Sequence, residues 1–235
     1  MKLLVLAGGF GTRLQSVVSE VPKALAPVGH LPFLYLQIEN WISQGLRSFI
    51  FLLHHKADLI IDFLEYEKTN LLKDCEVGWI IEPKPMDTGG AVAYAIRHLM
   101  LDGDFLLTNA DTWLGTGIQA VANCTAPSIA VVKLSDTSRY GQIRFDNQFK
   151  VISFTEKNKT HENGWINAGL CHLNADLFRH WYGKSFSLER TLFTQLVGKG
   201  LLTAVALKTD FLDIGIPSDY SRFCVWIQNK RKGRI

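Results

Sequence analysis

Apolar and polar positions along the first half of this chain follow two alternating habits. Short continuous apolar runs occur in Leu3–Leu6, Phe49–Leu53, Val77–Ile81 and Asp104–Thr108, and read as strands buried on both faces. Between them, Pro32–Leu46 carries Leu34, Ile38, Trp41 and Ile42 at helical spacing, with Gly45 placed to stop the helix. Ala57–Lys68 repeats the helical period, with Leu59, Ile60, Phe63 and Leu64 expected inward. The alanine-rich stretch after Gly89-Gly90 predicts a third helix. Strand–helix alternation of this kind predicts an α/β fold with a Rossmann-like, doubly wound sheet, mixed but mainly parallel.

After Ser128–Leu134, which is also strand-like, the habit changes. Tyr140–Phe145 and Val151–Lys157 alternate at period two around Asp146-Asn147, the signature of a β-hairpin with one wetter face. A polar loop, Asn158–Gly164, then separates the hairpin from another strand, Trp165–Leu173. Ala175–Tyr182 and Leu188–Val197 read as short helices, and Leu202–Leu207 as a strand. A final helix is expected to run to Asn229, with Pro217 at its first position. The pattern is one domain over residues 1–235, with a small β-rich subregion in its second part.

Composition narrows the class. Hydrophobic residues make up 47% and charged residues 20%, which suits a globular protein of this length. The net charge is +3, but Lys230, Arg231, Lys232 and Arg234 alone hold four positive charges, so the rest sums to −1 and no nucleic-acid partner is expected. No apolar run has the length of a membrane span, and Met1-Lys2 leads straight into a strand, so a cytoplasmic protein without membrane contact is expected. Cys75, Cys124, Cys171 and Cys224 are scattered without metal spacing and read as reduced thiols.

The chemistry begins in the stretch Leu3–Pro27. Leu6-Ala7 runs into Gly8, Gly9 and Gly11, then Thr12-Arg13, with Lys23 further on. Glycines directly after a strand let backbone N–H groups cradle phosphate oxygens. Arg13 adds a planar donor fork and Lys23 a compact charge. A Walker A loop is excluded, because Thr12-Arg13 stands where Lys-Ser/Thr is required; Leu14 excludes the dinucleotide fingerprint. Further along, Glu82 opens the loop to Thr88, Gly89 and Gly90, where the glycines are expected to leave room for a flat ring. A carboxylate there suits the N1–H and 2-amino group of guanine. Asp111, just past the Asp104–Thr108 strand and with no basic neighbour in sequence, suits a divalent metal carrying a triphosphate. His54-His55 sit at the end of the second strand, but adjacent strand side chains diverge, so a shared metal role is not expected.

LAGGFGTRL followed by PKALAPVGHLPFL resembles the signature of the sugar-1-phosphate nucleotidyltransferases, the enzymes that make nucleotide sugars. The resemblance continues in order along most of the chain, departing at Val17, where the family usually has proline. It implies transfer of a nucleotidyl group from a nucleoside triphosphate to a sugar 1-phosphate, with release of pyrophosphate. By that resemblance residues 1–112 form the nucleotide-binding part, with Leu6, Ala7, Gly8, Gly9, Gly11, Thr12, Glu82, Thr88 and Gly90 on the nucleotide. Arg13 and Lys23 become catalytic. Asp213, in Asp-Ile-Gly-Ile-Pro, joins Asp111 in holding Mg²⁺. Residues 113–235 supply the sugar-binding part and closing helices, with Gly141, Glu156, Lys157, Asn167 and Gly169 on the sugar phosphate. The short chain, LAGGFGTRL and WINAGL look most like the D-glycero-α-D-manno-heptose 1-phosphate guanylyltransferases, which implies GTP and a heptose 1-phosphate. Uridylyltransferases of amino-sugar phosphates, guanylyltransferases of mannose phosphate and a non-catalytic nucleotide-sugar-binding subunit remain alternatives. So does a homodimer using apolar positions in Phe186–Phe193, which would serve equally as core.

Overall fold

The computed structural model describes residues 1–155 and 162–232. β1 (Lys2–Leu6) leads through the glycine turn and a 3-10 turn at Lys23–Leu25 to a small antiparallel pair, β2 (Pro27–Val28) and β3 (Leu31–Pro32). α1 (Phe33–Ser43), β4 (Ser48–Leu53), α2 (Ala57–Glu67), β5 (Glu76–Ile81), α3 (Asp87–His98) and β6 (Asp104–Asn109) then alternate. The second half runs β7 (Thr112–Leu114), α4 (Ile118–Ala122), β8 (Ser128–Leu134), β9 (Gln142–Phe145), β10 (Val151–Thr155) and β11 (Gly164–Asn174). α5 (Thr194–Gly198), β12 (Thr203–Leu207), β13 (Phe211–Asp213) and α6 (Pro217–Lys232) complete it.

β6, β1, β4 and β5 are parallel neighbours, with Leu4 of β1 paired to Ile50 on one side and Leu107 on the other. β11 runs antiparallel to β6 and carries the same sheet on to β8 and to the β9–β10 hairpin. β12 adds to β8 in parallel. One mixed sheet therefore joins both halves of the chain, as the alternating pattern predicts. Successive strand residues face opposite layers: Leu3 and Val5 pack with Ile38, Trp41 and Ile60, while Leu4 packs with Val92, Ala95 and Phe193. All of these are essentially removed from water, each burial stabilising by about 1.5–3 kcal/mol for a large aliphatic side chain. A third cluster, in which Phe223 meets Phe33 at 4.8 Å and Trp113 at 5.5 Å, locks α6 over β7 and the start of α1.

Three local expectations change, and one open choice is settled. Leu59 is exposed, because the inward stripe of α2 centres on Ile60 and Leu64 and leaves Leu59 at its edge. Ala175–Tyr182 forms only a 3-10 turn over Ala175–Phe178, capped by the Asn174 side chain on the Asp176 N–H and followed by Gly183. Leu188–Phe193 is a wide π-helical turn that continues into the short α5, so Leu188–Val197 is not one regular helix. Leu188, Leu192 and Phe193 are buried core, which settles the open choice for these positions.

Candidate active site

The ends of β1, β4, β5 and β6 open on one cleft of about 650 Å³. It is lined by Leu6, Ala7, Gly8, Gly9, Gly11 and Thr12 from the glycine turn. Arg13, Lys23, Glu82, Thr88 and Asp111 line the same cleft, so residues far apart in sequence converge as expected of the C-terminal edge of a parallel sheet. Gly8 is closely approached: a Cβ there would lie 3.1 Å from Glu82 Oε1 and 3.1 Å from His54 Cβ. Gly11 has φ +61° and packs on the Lys23 stem, which turns the chain so that Thr12 and Arg13 stand exposed at the cleft. Among the described residues Arg13 has no ion-pair partner, leaving its guanidinium free for a ligand anion.

Lys23 Nζ lies 2.6 Å from Asp111 Oδ2 and 3.7 Å from Asp213 Oδ1. The basic partner that Asp111 lacks in sequence thus arrives from 88 residues away. β13 pairs antiparallel with β7, setting Asp213 opposite Thr112, and the Ile214 N–H donates to the Asp111 carbonyl. The Thr112 hydroxyl donates to Asp111 Oδ1 at 3.1 Å, and the Gly215 N–H donates to Asp213 Oδ1 at 2.6 Å. Gly215 must be glycine, since a Cβ would sit 2.8 Å from Asp213 Oδ1 and 3.2 Å from Lys23 Nζ. Burial, and then the neighbouring Asp111, push the Asp213 carboxyl above its ordinary range despite Lys23 and the Gly215 N–H. Two carboxylates share one ammonium here, an excess of negative charge on hard oxygen donors. That donor set fits a divalent cation such as Mg²⁺, with phosphate oxygens and water completing its shell.

At the other end of the cleft Glu82 is buried, and its Oε2 accepts from the Met86 N–H at 3.0 Å. Burial raises its carboxyl above the usual range, opposed by that N–H. Thr88 donates to Glu189 Oε2 at 3.1 Å and accepts from the Leu188 N–H at 2.9 Å. Gly90 does not line the cleft. Its N–H goes to the Phe186 carbonyl, and a Cβ on Gly89 would lie 2.2 Å from Phe186 Cε2. The two glycines open α3 to the segment around Phe186, not to a flat ring as their sequence suggests.

Asn167 and Gly169 form an irregularity of β11, where the register with β8 shifts between Asn167 and Cys171. The Asn167 side chain accepts from the Gly169 N–H at 3.0 Å. Gly169 has φ +76°, and a Cβ there would lie 2.9 Å from Asn109 Nδ2, at the edge of the cleft. Gly141 lies instead under the hairpin, against the Thr155 carbonyl. Glu156 and Lys157 lie outside the described residues. Sequence reasoning missed Phe10, Asn109, Ser185 and Glu189 as cleft residues. Phe10 and Asn109 adjoin recognised motifs, whereas Ser185 and Glu189 reach the cleft from a segment with no local signature.

The family described as Nucleotidyl transferase matches residues 2–224. The chain belongs to the nucleotidyl transferase family. Within this family it is 31% identical over 228 residues to the D-glycero-alpha-D-manno-heptose 1-phosphate guanylyltransferase of Campylobacter jejuni, covering 96% of this chain and 99% of that one. The crystal structure of HddC from Yersinia pseudotuberculosis superposes with a TM-score of 0.83 at 33% identity, over 96% of this chain and 99% of that chain. HddC complexed with GMP-PN gives 0.82 at 32% identity over the same shares. Mannose-1-phosphate guanylyltransferase 1 of Arabidopsis thaliana is 29% identical over 94% of this chain, but the match spans only 63% of that protein.

Proposed function

We propose that this nucleotidyltransferase moves GMP from GTP to D-glycero-α-D-manno-heptose 1-phosphate, giving GDP-heptose and pyrophosphate. The observation that carries the reading is the Lys23–Asp111–Asp213 cluster at one end of a cleft whose other end holds the buried acceptor Glu82. Full-length similarity to the heptose 1-phosphate enzyme of Campylobacter jejuni and the likeness to HddC, known with GMP-PN, support the choice of substrates.

The reaction needs in-line placement and charge neutralisation more than a general base, because the attacking sugar-phosphate oxygen is already ionised. Backbone N–H groups of Gly8–Thr12 bind the triphosphate. Glu82 accepts from the base, and Thr88 borders it. The sugar-phosphate oxygen attacks the α-phosphorus and the bond to the β-phosphate oxygen breaks. Lys23 orients the α-phosphate, and Arg13 takes up charge on the departing pyrophosphate. Asp111 and Asp213 would hold Mg²⁺, which when bound neutralises triphosphate charge. Asn167 and Gly169, with Gly141, Glu156 and Lys157, would receive the sugar phosphate.

Pyrophosphate release with GTP, UTP, dTTP, CTP or ATP, each against a panel of sugar 1-phosphates, tests the reading. GTP with the heptose 1-phosphate should give the highest kcat/KM, and a preference for UTP would defeat it. Asp111→Ala and Asp213→Ala should abolish turnover, while Lys23→Ala and Arg13→Ala should each lower it by roughly a hundredfold or more. Near-normal pyrophosphate release in either of the last two would remove that residue from the mechanism.

A further inference from the structure

His54 follows directly on β4 and lines the cleft beside the glycine turn. Its Nδ1 lies 3.1 Å from the Glu82 carbonyl oxygen. A carbonyl oxygen only accepts, so Nδ1 carries a proton in this contact, and in that neutral tautomer the lone pair lies on Nε2. Among the described residues no hydrogen bond reaches Nε2. Phe10 stands edge-on to the ring at 5.8 Å and 85°, which limits the ring's rotation.

Glu82 and His54 flank the same glycine. The position of a Cβ on Gly8 lies 3.1 Å from Glu82 Oε1 and 3.1 Å from His54 Cβ. The Glu82 N–H donates to the Leu53 carbonyl at 2.8 Å, which ties the ends of β4 and β5 together and fixes this spacing. Glu82 and His54 therefore both border the cleft at Gly8, one through a carboxylate and the other through its imidazole side chain. Glu82 has already committed part of its accepting capacity to the Met86 N–H at 3.0 Å.

We propose that His54 is a specificity-determining residue whose Nε2 accepts a hydrogen bond from the 2-amino group of guanine, alongside Glu82. The proposal rests on the GTP reading above. Guanine presents N1–H and the 2-amino hydrogens along one edge, a run of donors that needs more than one acceptor. Uracil and thymine offer a single N–H flanked by two carbonyls, which two protein acceptors repel. Adenine offers a ring lone pair where guanine has N1–H. The pair of acceptors thus selects guanine by rejecting the other bases as well as by binding it.

The test compares kcat/KM for GTP and for ITP, the same nucleotide without the 2-amino group, in the wild-type protein, His54→Phe and His54→Gln. His54→Phe keeps a ring beside Phe10 but has no acceptor. It should lower kcat/KM for GTP by about 5- to 10-fold, through KM, while barely changing ITP, so the GTP/ITP ratio shrinks by that factor. His54→Gln, whose amide oxygen accepts, should recover part of the ratio. Equal losses for GTP and ITP would assign His54 to the ribose or to holding the Glu82 carbonyl, and overturn the proposal. Should His54→Phe not fold, a wild-type GTP/ITP ratio near one overturns it without any variant. A wild-type preference for UTP over GTP would instead show that the nucleotide reading itself had failed.

Discussion

Glu82 shows what burying a carboxyl group at the wall of a cleft does to stability. Its carboxyl is held above the ordinary glutamate range because it is buried, with the Met86 N–H only partly compensating. The folded protein therefore holds this proton more tightly than the unfolded chain does. Stability from this group is greatest at acid pH and falls as pH rises from the ordinary glutamate value through the raised one. Glu82→Gln keeps an oxygen for the Met86 N–H but carries no charge. Its melting temperature should exceed that of the wild-type protein by a few degrees at neutral pH, the difference closing on acidification, while its KM for GTP rises severalfold. Thermal melts at several pH values and steady-state kinetics check both halves; a lower neutral-pH melting temperature for the variant would contradict the account. Residues of this kind were readable in sequence where chemistry and position coincide, as at Arg13, Lys23, Glu82 and Asp111, which share one cleft. What sequence could not supply was the neighbour on the far side. Gly89 and Gly90 announce a close approach, but nothing local says that the approaching group is Phe186 rather than a ligand.

At the scale of elements, the segment from Lys184 to Arg190 connects the second half of the chain to the part of the cleft lined by Thr88. The Phe186 carbonyl accepts from the Gly89 and Gly90 N–H groups, its N–H donates to the Met86 carbonyl, and Glu189 holds Thr88. Gly89→Ala would drive a methyl group to within 2.2 Å of Phe186 and push that ring out. Overpacking of this sort costs about 1–3 kcal/mol, which lowers the melting temperature by roughly 2–10 °C in a protein of this size. KM for the nucleotide should rise as Thr88 shifts. Phe186→Ala makes room, so the double variant should lose less than the sum of the two single changes. Strict additivity in thermal melts would refute the packing explanation. The strands and long helices were legible because their periodicity reports burial directly. The three-residue strands β7 and β13 were not, since so short a pairing leaves no pattern, and neither was the wide turn at Leu188–Phe193.

For the molecule as a whole, the central sheet ties the first half of the chain to the second. β6 receives β1 on one edge and β11 on the other, so residues 1–112 alone would expose the β6 edge and the apolar faces beneath it. Expressed by itself, that fragment should show no cooperative unfolding transition by circular dichroism and should aggregate. A sharp transition would mean that this fragment folds independently.

The pairing of β13 with β7 also orders events in time. Asp213 meets Asp111 only when a strand near the end of the chain returns to one near its middle, and α6 then packs over the pair. A polypeptide emerging from the ribosome displays its glycine turn early but has only one of the two carboxylates until β13 has been made. On the reading proposed above, the growing chain would be unable to spend nucleoside triphosphates until β13 has been made.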